Sequence, residues 1–214
     1  SPLNALSEFV VMWIDFNPVA YFHESSYWNL KPCSRKTRRF HDFSGGIPSH
    51  CRLGIFNFAH NRIGQFNGNR FAIIKSHLAD IMLAQGHNVV GCDNLCSGDL
   101  THVPKEADFH ELDINDYRRV NKVTANVDVI FHTAATAYDG LSVFSPHFVT
   151  QNVYSNTVSL LAAAIDNNVR RFVFCSSMAR YGRQEVPFRE EMTPLPRTPY
   201  GVAKYAAEQT IESL

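Results

Sequence analysis

Near the end of this 214-residue chain, Thr198-Pro199-Tyr200-Gly201-Val202-Ala203-Lys204 brings a phenol and an ammonium group within about one helical turn. Thr198 is a good helix N-cap and Pro199 suits the first helical position, so the order predicts a helix that opens at Tyr200. Lys204 follows four residues on, which puts both side chains on one face. Free tyrosine titrates near ~10 and is a poor base at neutral pH. A neighbouring cation favours the phenolate, and bringing the phenol to about 7 takes roughly 4 kcal/mol of differential stabilisation. The chemistry such a pair offers is proton transfer at a hydroxyl. Tyr-x-x-x-Lys also occurs on ordinary amphipathic helices, so the surrounding elements decide.

From Phe71 onward those elements are regular. Ile73 to Ala84 carries apolar residues at helical spacing and Gly86 supplies a stop. Asn88 to Asp93 reads as a short apolar strand ending in a carboxylate, Ala107 to Asp113 as a second strand, and Ile114 to Thr124 as a polar helix. Val127 to His132 is a buried strand, Phe148 to Asn167 a long helix, and Arg171 to Cys175 the strand that leads to Ser176-Ser177. Strands alternating with helices predict an α/β fold with a doubly wound parallel sheet, Rossmann-like. Ligands of such sheets sit beyond the carboxyl ends of the strands, where Asp93, His132 and Ser177 fall.

Residues 1–68 lack this period and are expected to form an irregular extension, leaving 69–214 as a partial dinucleotide-binding domain. Twenty basic residues balance twenty acidic ones, which gives no footprint for nucleic acid or an anionic membrane. The apolar run Phe9 to Ile14 is too short to span a bilayer, and no basic region precedes it. The five cysteines are scattered without a Cys-x-x-Cys pair, so the expectation is a reduced, cytoplasmic protein. Cys33, His41, His50 and Cys51 match no zinc spacing, and no metal is expected.

Taken together, Ser76-His77-Leu78-Ala79-Asp80, Gly86 to Leu95, His132-Thr133-Ala134-Ala135, Phe174 to Ser177 with Tyr181-Gly182, and Pro199 to Lys204 resemble the extended short-chain dehydrogenase/reductases. The nearest subgroup is the NAD-dependent epimerase/dehydratase family, typified by UDP-glucose 4-epimerase. The resemblance implies that Tyr200 is the catalytic base and acid, that Lys204 tunes it and binds the nicotinamide ribose, and that Ser177 bonds the reacting sugar hydroxyl. It implies NAD as cofactor, with Asp93 and Asn94 at the adenosine ribose, Asp113 and Ile114 flanking the adenine, and Ala134 and Ala135 letting the backbone approach. A carboxylate at Asp93 repels a 2′-phosphate and so favours NAD over NADP. A nucleotide-sugar substrate and a homodimer are implied as partners.

Two departures accompany the resemblance. The family's Gly-rich phosphate turn falls on Gly68 to Lys75, where Asn69 or Arg70, Ala72 and Lys75 replace the glycines. The best first strand, Leu53 to Phe58, leaves fourteen residues (Ala59 to Ala72) before the helix, more than the usual βα loop of about 2–6. Second, family members continue beyond the Tyr200 helix with a region that holds the nucleotide-sugar, expected to be absent here. The leading reading is thus a nucleotide-sugar 4-epimerase whose fragment is possibly inactive. The alternatives are a non-catalytic dinucleotide-fold scaffold, or a reductase or dehydrogenase of the same superfamily. The family's dehydratases place an Asp-Glu pair directly after the Ser/Thr. Here Met178-Ala179 stands in that place, which points away from dehydration.

Overall fold

A computed structural model describes residues 8–12, 51–56, 70–95 and 100–214. Six strands form one sheet: β1 (Glu8–Met12), β2 (Arg52–Phe56), β3 (Asn88–Asp93), β4 (Asp108–Glu111), β5 (Val129–His132) and β6 (Arg171–Cys175). Their order across the sheet is β1-β6-β5-β2-β3-β4, and every neighbouring pair is parallel. Helices α1 (Arg70–Ala84), α2 (Tyr117–Val123), α3 (Pro146–Thr150) and α4 (Asn156–Asp166) lie in the crossovers, and α5 (Pro199–Glu212) follows the last strand.

Strands covered on both faces read as near-continuous apolar runs, and β5 and β6 do. Along β6, Phe172 and Phe174 join Ile130, Leu160, Leu161, Ala207 and Ile211 in one core, while Val173 points the other way to Leu53, Val89, Phe131, Ala79 and Met82. The period of two thus divides the sheet between α4 and α5 on one face and α1 on the other. Between α3 and α4, residues Gln151–Ser155 form a π-helical turn with Asn152 and Val153 buried, so the single long helix expected over 148–167 is interrupted in its first half.

The expectation of an irregular 1–68 needs correction at two places. Residues 52–56 form a central strand, paired on one side with β3 and on the other with β5. Leu53 is fully buried there, so the first four residues of the apolar candidate Leu53 to Phe58 belong to a central strand. Residues 8–12 form an edge strand in register with β6, from Glu8 against Arg171 to Met12 against Cys175. Of the apolar run Phe9 to Ile14, Phe9 to Met12 are thus part of a sheet, and Trp13 and Ile14 lie outside the described residues. Of the cysteines and histidines weighed as zinc ligands, Cys33, His41 and His50 lie outside the described residues. Cys51 is buried and accepts a hydrogen bond from an Arg170 guanidinium nitrogen at 3.4 Å. Of the replaced glycine turn, Gly68 and Asn69 lie outside the described residues, and Arg70, Ala72 and Lys75 fall in the first turns of α1.

Register sets the level of the site. Phe56 stands against Cys92 and His132, and His132 stands against Phe174. The residues just past these (Asp93, Thr133, Cys175) therefore lie along one carboxyl edge of the sheet. Strand β2 passes to β3 on one side while β5 lies on its other side, and this reversal is where open α/β sheets place ligands.

Candidate active site

Helix α5 begins as its sequence demands. The Thr198 hydroxyl accepts from the Gly201 amide at 3.1 Å, Pro199 occupies the first turn, and Thr198 is also hydrogen-bonded to the Asp139 carboxylate. Tyr200 and Lys204 lie on its inward face, 6% and 2% exposed. Opposite them, β6 runs into Ser177, whose hydroxyl oxygen accepts from the Ala179 amide at 3.2 Å and caps the short 3-10 turn Met178–Tyr181. Gly201 lets helix and turn meet: a Cβ there would stand 2.6 Å from the Ala179 carbonyl oxygen. This close approach seats the turn that carries Ser177 against the first turn of α5, where Ala179 packs on Tyr200. Ser177, from the end of β6, thus comes together with Tyr200 and Lys204 of α5 at the carboxyl edge.

The electrostatics differ from the sequence expectation. Burial pushes the Tyr200 phenol up to about 12; the Ser177 hydrogen bond pulls it down, and Asp139 and Cys175 add to the rise. Lys204 does not bring the phenol toward neutrality, because its ammonium is engaged elsewhere. Its Nζ donates to the Cys175 carbonyl at 2.7 Å and sits 4.6 Å from the Phe174 ring centroid. Burial draws Lys204 itself down to about 8, opposed by Cys175 and Glu208. Spacing along a helix reports which residues share a face; it does not report how dry that face is.

This burial predicts a pH effect. Folded Lys204 releases its proton near 8 and the unfolded chain near 10.5, so between these values the unfolded state binds more protons and stability rises with pH. Between pH 7.5 and 9.5, denaturant titration should find the unaltered chain gaining about 2 kcal/mol relative to Lys204→Met. A difference that stays flat with pH would show that the ammonium is hydrated.

The other expected residues distribute unevenly. Asp93 is 1% exposed at the end of β3, and its Oδ1 accepts from the Leu95 amide at 2.9 Å, with Asn94 half-buried beside it. Ala134 is fully buried after β5, and Ala135 packs against the cluster that contains Tyr200, Val149, Val153 and Ala203. Asp113 is exposed and accepts from the Asn115 backbone and side-chain nitrogens at 2.7 and 3.0 Å. The Ile114 side chain belongs to the core, which leaves only its backbone near that edge. His132 is fully buried with Nε2 2.8 Å from the Thr157 hydroxyl, and burial and Lys204 hold it neutral, well below its ordinary range.

Sequence reasoning missed Arg180 and Glu208, both buried beside Ser177, and Asn152 in the π turn. Glu208 had a signal, since Tyr200, Lys204 and Glu208 recur every four residues on one helix face. Arg180 and Asn152 had none.

A doubly wound parallel sheet that gathers a serine, a tyrosine and a lysine at its carboxyl edge defines the short-chain dehydrogenase/reductase class. The chain belongs to the NAD dependent epimerase/dehydratase family, whose sequence pattern matches residues 73–214. It is 35% identical over 150 residues to UDP-arabinose 4-epimerase 1 of Arabidopsis thaliana, a match that covers 64% of this chain and 36% of that protein. It is likewise 35% identical over 142 residues to the UDP-glucose 4-epimerase of Streptomyces lividans, covering 64% of this chain and 43% of the relative. Among solved structures, the Brucella ovis UDP-glucose 4-epimerase in complex with NAD is similar with a TM-score of 0.66 at 30% identity, over 76% of this chain and 47% of that one. The Thermotoga maritima UDP-glucose 4-epimerase with UDP-glucose matches with a TM-score of 0.66 at 26% identity, over 76% and 50%. The chain thus spans half or less of the length of these relatives. Among the described residues, no helix is long and apolar enough to cross a membrane.

Proposed function

We propose that this chain carries the cofactor side of a nucleotide-sugar 4-epimerase. The observation that carries the reading is the assembly of Ser177, Tyr200 and Lys204 at one carboxyl edge by two elements packed too closely for a Cβ at Gly201. In this reading the Tyr200 oxygen removes the proton of a sugar carbinol and later returns it, while Ser177 bonds the same oxygen and limits its motion. NAD fits the donor set at that edge: the buried Asp93 carboxylate suits a pair of ribose hydroxyls, Ala134 leaves room for close backbone approach, and Lys204 and Tyr200 offer polar groups to the nicotinamide ribose. Held there by Asp93, Tyr200 and Lys204, NAD would supply a reversible two-electron hydride acceptor for the sugar carbon. That the similar proteins are named UDP-arabinose and UDP-glucose 4-epimerases supports a nucleotide-sugar as substrate.

Epimerisation is favoured over dehydration because the residues after Ser177 cannot exchange protons. Met178 is 37% exposed, Ala179 packs under Tyr200, and Arg180 is turned inward onto Glu208. Elimination of water needs a base at one carbon and an acid at the leaving hydroxyl. Glu185 and Glu191 are exposed and Glu190 half-exposed, all beyond Gly182. With NAD and a panel of UDP-sugars, a full-length version is expected to give a product of unchanged mass and inverted C4. Loss of one water would overturn the reading. Calorimetry with NAD separates it from a non-catalytic scaffold, which would bind none.

A further inference from the structure

Beneath Tyr200 and Lys204, the same face of α5 carries a buried ion pair that proton transfer does not use. Glu208 and Arg180 have side chains 1% and 7% exposed, and the guanidinium stands 2.9 Å from Glu208 Oε2. The Ser176 hydroxyl donates to the other carboxylate oxygen, Oε1. The guanidinium carbon lies 5.3 Å from the Tyr181 ring centroid and 5.4 Å from that of Tyr205, so it is sandwiched between two aromatic faces. Burial raises the Glu208 carboxyl to about 7, and Ser176 and Arg180 pull it back down.

Stability alone gives little reason for such a pair, since well-packed apolar residues of similar volume serve a core as well or better. Its placement gives another. Ser176 directly precedes Ser177 and Arg180 follows it by three, and one carboxylate grips both. One step earlier, Lys204 holds the Cys175 carbonyl. The segment Cys175 to Arg180 is thus fastened to α5 at residues 175, 176 and 180, and the Ser177 hydroxyl is the point left to meet Tyr200. We propose that Arg180 and Glu208 are positioning residues, which hold the turn after β6 against α5 so that the Ser177 hydroxyl stays beside the Tyr200 phenol. The inference rests on the reading of Ser177 and Tyr200 as the reacting pair.

The test reads the placement of the Ser177 hydroxyl beside the phenol, with neither cofactor nor turnover. Tyrosine labelled with 13C at Cζ is incorporated, and the Tyr200 signal is assigned by its loss in Tyr200→Phe. Ser177→Ala defines the displacement of that signal when the hydroxyl is gone. The double variant Arg180→Met/Glu208→Gln leaves neither partner as a lone buried charge. It should move the signal the same way by at least half as much, and adding Ser177→Ala should move it no further than Ser177→Ala alone. Arg180→Lys, which keeps the charge without the planar fork, should fall between. A double variant that lowers the melting temperature while its Tyr200 signal stays in place makes the pair a structural clamp only and overturns the proposal. Should the double variant not fold, Glu208→Gln alone decides in the same way: a moved signal supports the proposal and an unmoved one overturns it. Because turnover is not the readout, a failure of the epimerase reading and a failure of this inference are seen separately.

Discussion

On the proposed epimerase reading, Tyr200→Phe made in a version that includes the nucleotide-sugar region should lower kcat by about 10²–10⁴-fold, the range that a positioned general acid–base group contributes. The substitution removes one oxygen from a ring that packs in an apolar cluster with Val149, Val153 and Ala203, so the ring keeps its neighbours. Loss of the phenol oxygen should cost at most on the order of 1 kcal/mol of stability, and NAD affinity should change by only a few-fold. The phenol of the unaltered chain, pushed up to about 12, is protonated at neutral pH. Its service as a base therefore depends on added positive charge or on concerted transfer, and turnover should rise with pH through the neutral range. Stopped assays of C4 inversion from pH 6 to 9 measure both effects. A Tyr200→Phe chain that retains a tenth of the activity would remove Tyr200 from the chemistry.

How much of this was legible in the chain itself depends on how locally each feature is encoded. Strand β3 and strand β6 were read with their observed ends, because a short apolar run with a helix on either side admits few alternatives. The start of α5 was equally plain, since Thr198 and Pro199 act on their immediate neighbours. Strand β1 was not, because Phe9-Val10-Val11-Met12 has no alternation and its partner β6 lies about 160 residues away in register. Strand β2 was found as an apolar run and then doubted on the length of the loop that follows. Pairing with β3 and β5 on both sides outweighs that loop, whose closure cost grows only slowly with length. The chemistry divides in the same way. The grouping of Ser177, Tyr200 and Lys204 follows from motif order, whereas the direction of the Tyr200 shift and the Arg180–Glu208 pair depend on how α5 settles on the turn after β6.

Gly182→Ala should be the most damaging single-methyl change near the site, costing about 3 kcal/mol or more. Gly182 closes the 3-10 turn with φ +64° and ψ −140°, backbone that residues with a Cβ rarely adopt. Its amide donates to the Ala179 carbonyl at 3.3 Å, so relaxing φ would break the cap of the turn that carries Ser177. Space is also lacking, for an added Cβ would lie 2.0 Å from the Leu195 carbonyl oxygen and 3.1 Å from the Leu195 carbonyl carbon and Arg197 Cγ. The Arg197 contact is with a flexible side chain and can yield; the Leu195 contact is with backbone and cannot without moving the chain. That chain runs within three residues to Thr198, the cap of α5, so the displacement passes to Tyr200 and moves it relative to Ser177. Urea titration should show a lower midpoint with an unchanged slope, and the 13C signal of Tyr200 should move as in Ser177→Ala. By contrast, Gly140→Ala meets nothing within 4 Å and should leave both measurements nearly unchanged, which makes it the matched control. A Gly182→Ala chain within 1 kcal/mol of the unaltered one would mean that the segment Leu195–Arg197 does not press on the turn, and the tight seat of α5 against Ser177 would have to be abandoned with it.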